Sequence, residues 1–129
     1  MNLSKSLEEI EGESWGHPTF NSYVVRESHR LRKVPLRELT AENLRFLIGQ
    51  SLSLEYTVPI AINMLEKNIL ASGNRYIGDL LSTVAQVEEA FWQNNPELNN
   101  RLVEIKIEVE STVETLNEVL ANLGAREFK

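Results

Sequence analysis

The chain contains no cysteine. Disulfides, thiolate metal sites and a cysteine nucleophile are therefore excluded. No run approaches the roughly 20 apolar residues that a membrane-spanning helix needs. Only two histidines occur, His17 and His29. Their spacing does not place two ligands on one helical face, as His-Glu-x-x-His would. Six glycines are scattered through 129 residues, so there is no glycine-rich phosphate loop, dinucleotide fingerprint or Gly-x-Ser-x-Gly elbow. Adjacent carboxylates such as Glu8/Glu9 and Glu88/Glu89 do not converge on one helical face. These absences argue against an enzyme, a metal and a cofactor. A catalytic rival built on Glu55 or His29 would need a cleft where titratable groups converge.

What is present is ordinary globular composition, 42% apolar and 25% charged. The length suits one domain spanning 1–129 with one hydrophobic core. Net charge is −6 and the pI is about 5.0. The charge is uneven. Lys5 stands against Glu8, Glu9, Glu11 and Glu13 in residues 1–20, whereas residues 21–50 carry Arg26, Arg30, Arg32, Lys33, Arg37 and Arg45 against Glu27, Glu38 and Glu42. Residues 88–129 hold nine acids and four bases. Either the basic segment packs beside acidic ones or it serves a partner. An acidic chain is a poor general binder of nucleic acid and a good match for a basic protein, because opposite fields speed encounter. Met1-Asn2-Leu3-Ser4-Lys5 turns acidic at once with no apolar signal segment, so a cytoplasmic protein off the membrane is expected.

Punctuation falls at Gly16-His17-Pro18, Pro35, Pro59, Ser72-Gly73-Asn74, Gly78, Pro96 and Gly124. The segments between are helix-periodic. Residues 4–10 predict a short turn of helix capped by Ser4 or Ser6. Phe20, Tyr23, Val24 and Leu31 suit an amphipathic helix ending before Pro35, with Val34 outside it. Thr40 caps a helix carrying Leu44, Leu47, Ile48 and Leu52 on one face, with Gly49 near its end. Pro59 fits the first turn of the next helix. That helix is apolar nearly all round through Ile60, Ile62, Met64, Leu65 and Ile69, as a buried central helix is. Gly78 or Asp79 starts another, and a short one holds Phe91 and Trp92.

Asn95-Pro96-Glu97 is a strong start signal for a last helix running to Gly124, about 40 Å long. Val103 to Glu110 alternates strictly with β-branched apolar residues, which is a strand pattern. Helix is still the expectation, because the longer window keeps helical period and no other run offers a pairing strand. The fold predicted is all-α: a compact single-domain bundle of about five to seven helices with a long C-terminal one.

At about 100° per residue, the apolar stripe of the last helix centres on Leu98, Leu116 and Leu120. Val103 and Ile107 fall opposite, continued by Glu110 and Glu114, while Glu97, Glu104, Glu108 and Glu118 share a third face. An apolar pair bordered by carboxylates can dock a basic protein surface, so these eight residues are the candidate partner-binding set. The only basic cluster, Arg30, Arg32 and Lys33, sits at a helix C-terminus, where it complements the dipole. DNA binding through Arg26–Arg37 is the rival reading, as part of a small acidic interaction or regulatory module.

An ordered set of motifs adds to this. It comprises Ser14-Trp15-Gly16-His17-Pro18, Phe20, Ser22-Tyr23, His29 to Lys33, Pro35-Leu36, Leu39-Thr40, Leu44-Arg45, Leu47 to Gln50, Leu54-Glu55-Tyr56, Val58-Pro59, Gly78 to Leu81 and Phe91-Trp92. In this order and spacing, over roughly residues 5–98, the chain resembles the contact-dependent growth inhibition immunity proteins. Ile77 stands where that pattern has a proline. The resemblance implies a bacterial cytoplasmic protein that binds and neutralises the cognate C-terminal toxin domain of an exoprotein; separately, a monomer or weak homodimer is expected. That toxin would be basic, with nucleases among the candidates. The resemblance also implies structural roles for Trp15 and Tyr23 in packing, Gly49 in close approach and Glu55 as a satisfied buried carboxylate.

Overall fold

The computed structural model describes residues 1–129. It contains seven α-helices and no strand: α1 Leu7–Glu11, α2 Tyr23–Leu31, α3 Ala41–Gly49, α4 Leu54–Lys67, α5 Asp79–Ala85, α6 Glu89–Asn94 and α7 Pro96–Leu123, with a 3-10 turn at Leu36–Glu38. The predicted all-α class with a long last helix is what is found. Contacts group the chain into two units, Met1–Glu88 and Glu89–Lys129.

In the first unit, caps place the helix starts. The Ser6 hydroxyl accepts the Glu9 N–H at 3.2 Å and the Glu9 carboxylate accepts the Ser6 N–H at 3.2 Å, a reciprocal capping box. Thr40 and Asn43 do the same for α3. Ser22 accepts the Val25 N–H at 3.2 Å. That cap starts α2 at Tyr23, leaving Phe20 outside it and 72% exposed. The expected α2 face is corrected in part: Leu31 is buried as expected, but Tyr23 and Val24 are exposed and Ser28 is buried in their place.

Of α3, α4 and α5, it is α3 that packs most on both neighbours. Helix α4 packs on α3 and α5 and buries Thr57, Val58, Ala61, Ile62 and Leu65. Contrary to expectation, α4 is not covered all round: Glu55, Asn63, Glu66 and Lys67 are exposed, and Ile60 and Met64 are half-buried. Pro59 is not in its first turn as expected. Ser51 and Ser53 take positive φ (55° and 51°), and that sharp turn lets the helix begin at Leu54. Pro59 is therefore its sixth residue and cannot donate to the Glu55 carbonyl. The Thr57 hydroxyl bonds back to the Ser53 carbonyl at 3.1 Å, which lets a threonine sit fully buried. Leu7, Leu31, Leu36, Leu44, Leu47, Leu80 and Val84 complete the unit's core. Each is a side chain whose truncation to alanine would cost about 2–5 kcal/mol.

In the second unit, Pro96 occupies the start of α7, and residues 103–110 are helical. The strand alternation thus reflects two opposite helix sides, with Ile105 only 2% exposed and Ile107 60% exposed. Trp92 is buried, with Phe91 against it edge to face at 5.2 Å between centroids.

Candidate interaction surface

All eight predicted contact residues lie on α7 and all are exposed. The helix brings Val103 beside Ile107, Glu104 beside Glu108, and Glu114 between Glu110 and Glu118, with four residues separating the members of each adjacent pair. Glu97 sits about 10 Å further toward the N-terminus than Glu104. The set is therefore a strip about 30 Å long, not a compact cluster. Lys106 and Glu110 approach to 3.9 Å at the surface.

The stripe assignment needs correction. Leu98 is half-buried, but Leu116 and Leu120 are 52% and 64% exposed. The apolar period is real. Only its first half is covered, over Leu98, Leu102, Ile105 and Val109.

A second feature was not foreseen. The segment between α4 and α5 is held by two carboxylates. The Asp79 side chain is only 1% exposed as a residue. It accepts the backbone N–H groups of Gly73 at 2.6 Å, Arg75 at 2.9 Å and Tyr76 at 3.4 Å. Glu42 accepts the Asn74 N–H at 2.9 Å and two bonds of 2.6 Å from the Arg45 guanidinium. The Ser72 hydroxyl accepts the Gly78 N–H at 2.8 Å. A Cβ at residue 73 would lie 2.5 Å from the Glu42 carboxylate and 3.0 Å from its Cα, so the backbone approaches as only glycine permits.

Burial pushes the Asp79 carboxyl up, but the three N–H donors and the Arg45 charge outweigh it and hold it below its ordinary value. The Arg45 hydrogen bond likewise holds Glu42 down. The clamped loop presents Tyr76 at 59% and Ile77 at 79% exposure, with Arg75 beside them. Tyrosine and arginine on a rigid support are the residue types that anchor interfaces. The replaced proline does not open the turn, because Asp79 closes it. The pattern Gly73…Asp79, a glycine six residues before a helix-start aspartate, was the available signal.

The buried carboxylate is thus Asp79, not Glu55, which is exposed along with Gln50. Trp15 and Tyr23 are only partly packed. Trp15 lies under the Arg32 guanidinium at 4.3 Å with His29 at its edge, and Tyr23 stands edge-on to Phe46 at 5.9 Å. A Cβ added at Gly49 would meet the Thr83 methyl at an ordinary 3.8 Å, so Gly49 ends α3 without the expected close approach. Of the basic cluster, Arg32 is buried, pairs with Glu11 and donates to the Glu13 carbonyl at 2.8 Å, while Arg30 is held by Glu27. These bonds answer much of the segment's charge from within the first unit. His29 lines a cavity of about 200 Å³ with Trp15, Val24, Val25, Ser28, Gln50 and Leu52, where no carboxylate joins it. No three His, Asp or Glu side chains converge on a common metal position.

A family model described as CDI immunity proteins matches residues 9–102. The chain belongs to that family. The match takes in α2 to α6, including the clamped loop and the Trp15–His29–Arg32 stack, and ends in the second turn of α7. Among the candidate contacts of this CDI immunity protein, only Glu97 lies inside the matched residues. Neither the curated proteins nor the solved structures include a match.

Proposed function

We propose that this chain protects the cell that makes it by binding the cognate toxin domain of a CDI exoprotein in the cytoplasm, stoichiometrically and without turnover. The family match over residues 9–102 carries this reading. The net charge of −6 supports it. A toxin surface that grips phosphate is basic, and an acidic inhibitor gains on-rate from the opposite field. Acids concentrate in residues 88–129, and the solvent side of α7 offers Val103 and Ile107 between carboxylates. We assign the contact to that side: Glu97, Val103, Glu104, Ile107, Glu108, Glu110, Glu114 and Glu118.

The clamped loop is a second possible contact, favoured by one observation. The backbone that carries its exposed Tyr76 and Ile77 is hydrogen-bonded on both sides before any partner arrives, which lowers the ordering cost of binding. The test is co-purification of the chain with the toxin domain encoded beside it, together with growth protection of cells exposed to that toxin. Wild type is expected to form a one-to-one complex. E104K/E108K is expected to weaken it at least tenfold, mainly through on-rate, and Y76A/I77A to change it little. The reverse pattern moves the contact to the loop. Failure of wild type to bind or protect removes the function itself.

A further inference from the structure

The apolar stripe of α7 runs at alternating four- and three-residue steps through Leu98, Leu102, Ile105, Val109, Thr112, Leu116, Val119 and Leu123. Sustained spacing of this kind is the seam of a helix that packs along another straight helix. The first half of the seam is half-buried or better. Beyond Thr112 it stands open, with Leu116 52%, Val119 43% and Leu123 50% exposed, and Val113 and Leu120 beside them at 51% and 64%. Five half-exposed apolar side chains in a row are costly to leave in water.

We propose that residues 112–123 pair antiparallel with the same residues of a second copy of this chain. Charge decides the occupant. The seam is edged by Thr115 and Asn122 on one side and by Val113 and Leu120 on the other. The carboxylates Glu110, Glu114 and Glu118 lie around the far side of the helix. A seam made for a basic partner would carry acids along its edges. A seam made for a copy of an acidic chain must have neutral edges, since like charges would meet there.

Register decides the direction. When the segments run antiparallel about their midpoint, Leu116 meets Val119 of the second copy and Leu123 meets its Thr112. Val113 then faces Leu120 across one edge, and Thr115 faces Asn122 across the other. Every layer is apolar against apolar or neutral against neutral. The parallel arrangement would instead set Val113 beside Glu108 of the second copy. The arrangement is two-fold and closed, so it ends at a dimer. Its overlap is only about 18 Å long, so dissociation on dilution is expected. The strip of Val103, Ile107 and the glutamates stays on the outer side, so this pairing neither uses nor requires the proposed toxin contact.

Sedimentation equilibrium of the full chain without toxin tests the pairing. The mass of wild type is expected to rise from 14.7 kDa toward twice that with concentration. L116D/V119D is expected to stay monomeric with its far-ultraviolet helix signal retained. Should that variant lose helix, two milder ones decide. T115E/N122K places opposite charges across the edge twice per dimer and is expected to tighten pairing roughly fivefold. T115E/N122E places like charges there and is expected to loosen it by a similar factor. A wild-type mass of 14.7 kDa at every concentration overturns the proposal. So do two charge variants that behave alike.

Discussion

Two parts of the molecule expose apolar groups in opposite ways. The loop 72–78 exposes Tyr76 and Ile77 on a backbone whose N–H groups are taken by buried or half-buried carboxylates. The end of α7 exposes Leu116, Val119 and Leu120 on a backbone satisfied by its own helix and by nothing else in the chain. The first surface is rigid because polar groups inside it have no alternative partner. The second is helical only as far as propensity and one half-covered stripe sustain it. Rigidity before binding favours specific recognition. An open heptad favours pairing that itself completes the helix.

The largest effect that separates the two is expected at Asp79. Asp79→Ala leaves the N–H groups of Gly73, Arg75 and Tyr76 without their acceptor, at about 1–3 kcal/mol for each one that stays buried. A loss of roughly 3 kcal/mol or more in urea unfolding is expected. Amide exchange should rise sharply over 73–76 and stay unchanged over 112–123. A stability loss under about 1 kcal/mol would mean the loop is held by something other than this carboxylate.

That carboxylate also shows where sequence reading stops. Helix starts were legible because caps are local: Ser6, Thr40 and Pro96 act on residues within one turn. The existence of α4 was legible from its apolar content, but not its polar side, where Glu55, Asn63 and Glu66 are exposed. The face of α2 was not. Beside Leu31, burial went to Ser28 and to Arg32 at the helix's C-cap, and Arg32 is tolerated there because Glu11 and the Glu13 carbonyl, about 20 residues away in sequence, meet it. Likewise, Glu55 and Asp79 look alike as isolated carboxylates near helix starts. Only the fold brings three backbone donors to one of them and leaves the other in solvent. The period of α7 foretold a stripe but not where its cover ends, because cover belongs to the neighbours and not to the helix.

Acid is expected to act on the loop by a smaller amount. The carboxyls of Asp79 and Glu42 are both depressed in the folded chain, from ordinary values of 3.8 and 4.5. A depressed acid contributes stability that is fully present above its ordinary value and is lost as pH falls through the folded one. Unfolding free energy should therefore be flat on this account from neutral pH down to about 5 and decline below it. In D79A that decline should be shallower, while Glu42 keeps its own part. An equal slope in wild type and D79A would show that the acid sensitivity lies elsewhere.

The smallest effect is expected at Leu116, and its smallness is the informative part. At concentrations where the chain is monomeric, Leu116→Ala removes a side chain already 52% exposed and substitutes the best helix former. Unfolding free energy should change by less than about 0.5 kcal/mol. The same truncation at Ile105, which is 2% exposed on the same stripe, should cost about 2–5 kcal/mol. Equal costs at the two positions in dilute solution would mean that the distal stripe is covered within a single chain. The two halves of α7 would then form one continuous packed seam, and the contrast between the clamped loop and the open helix would vanish.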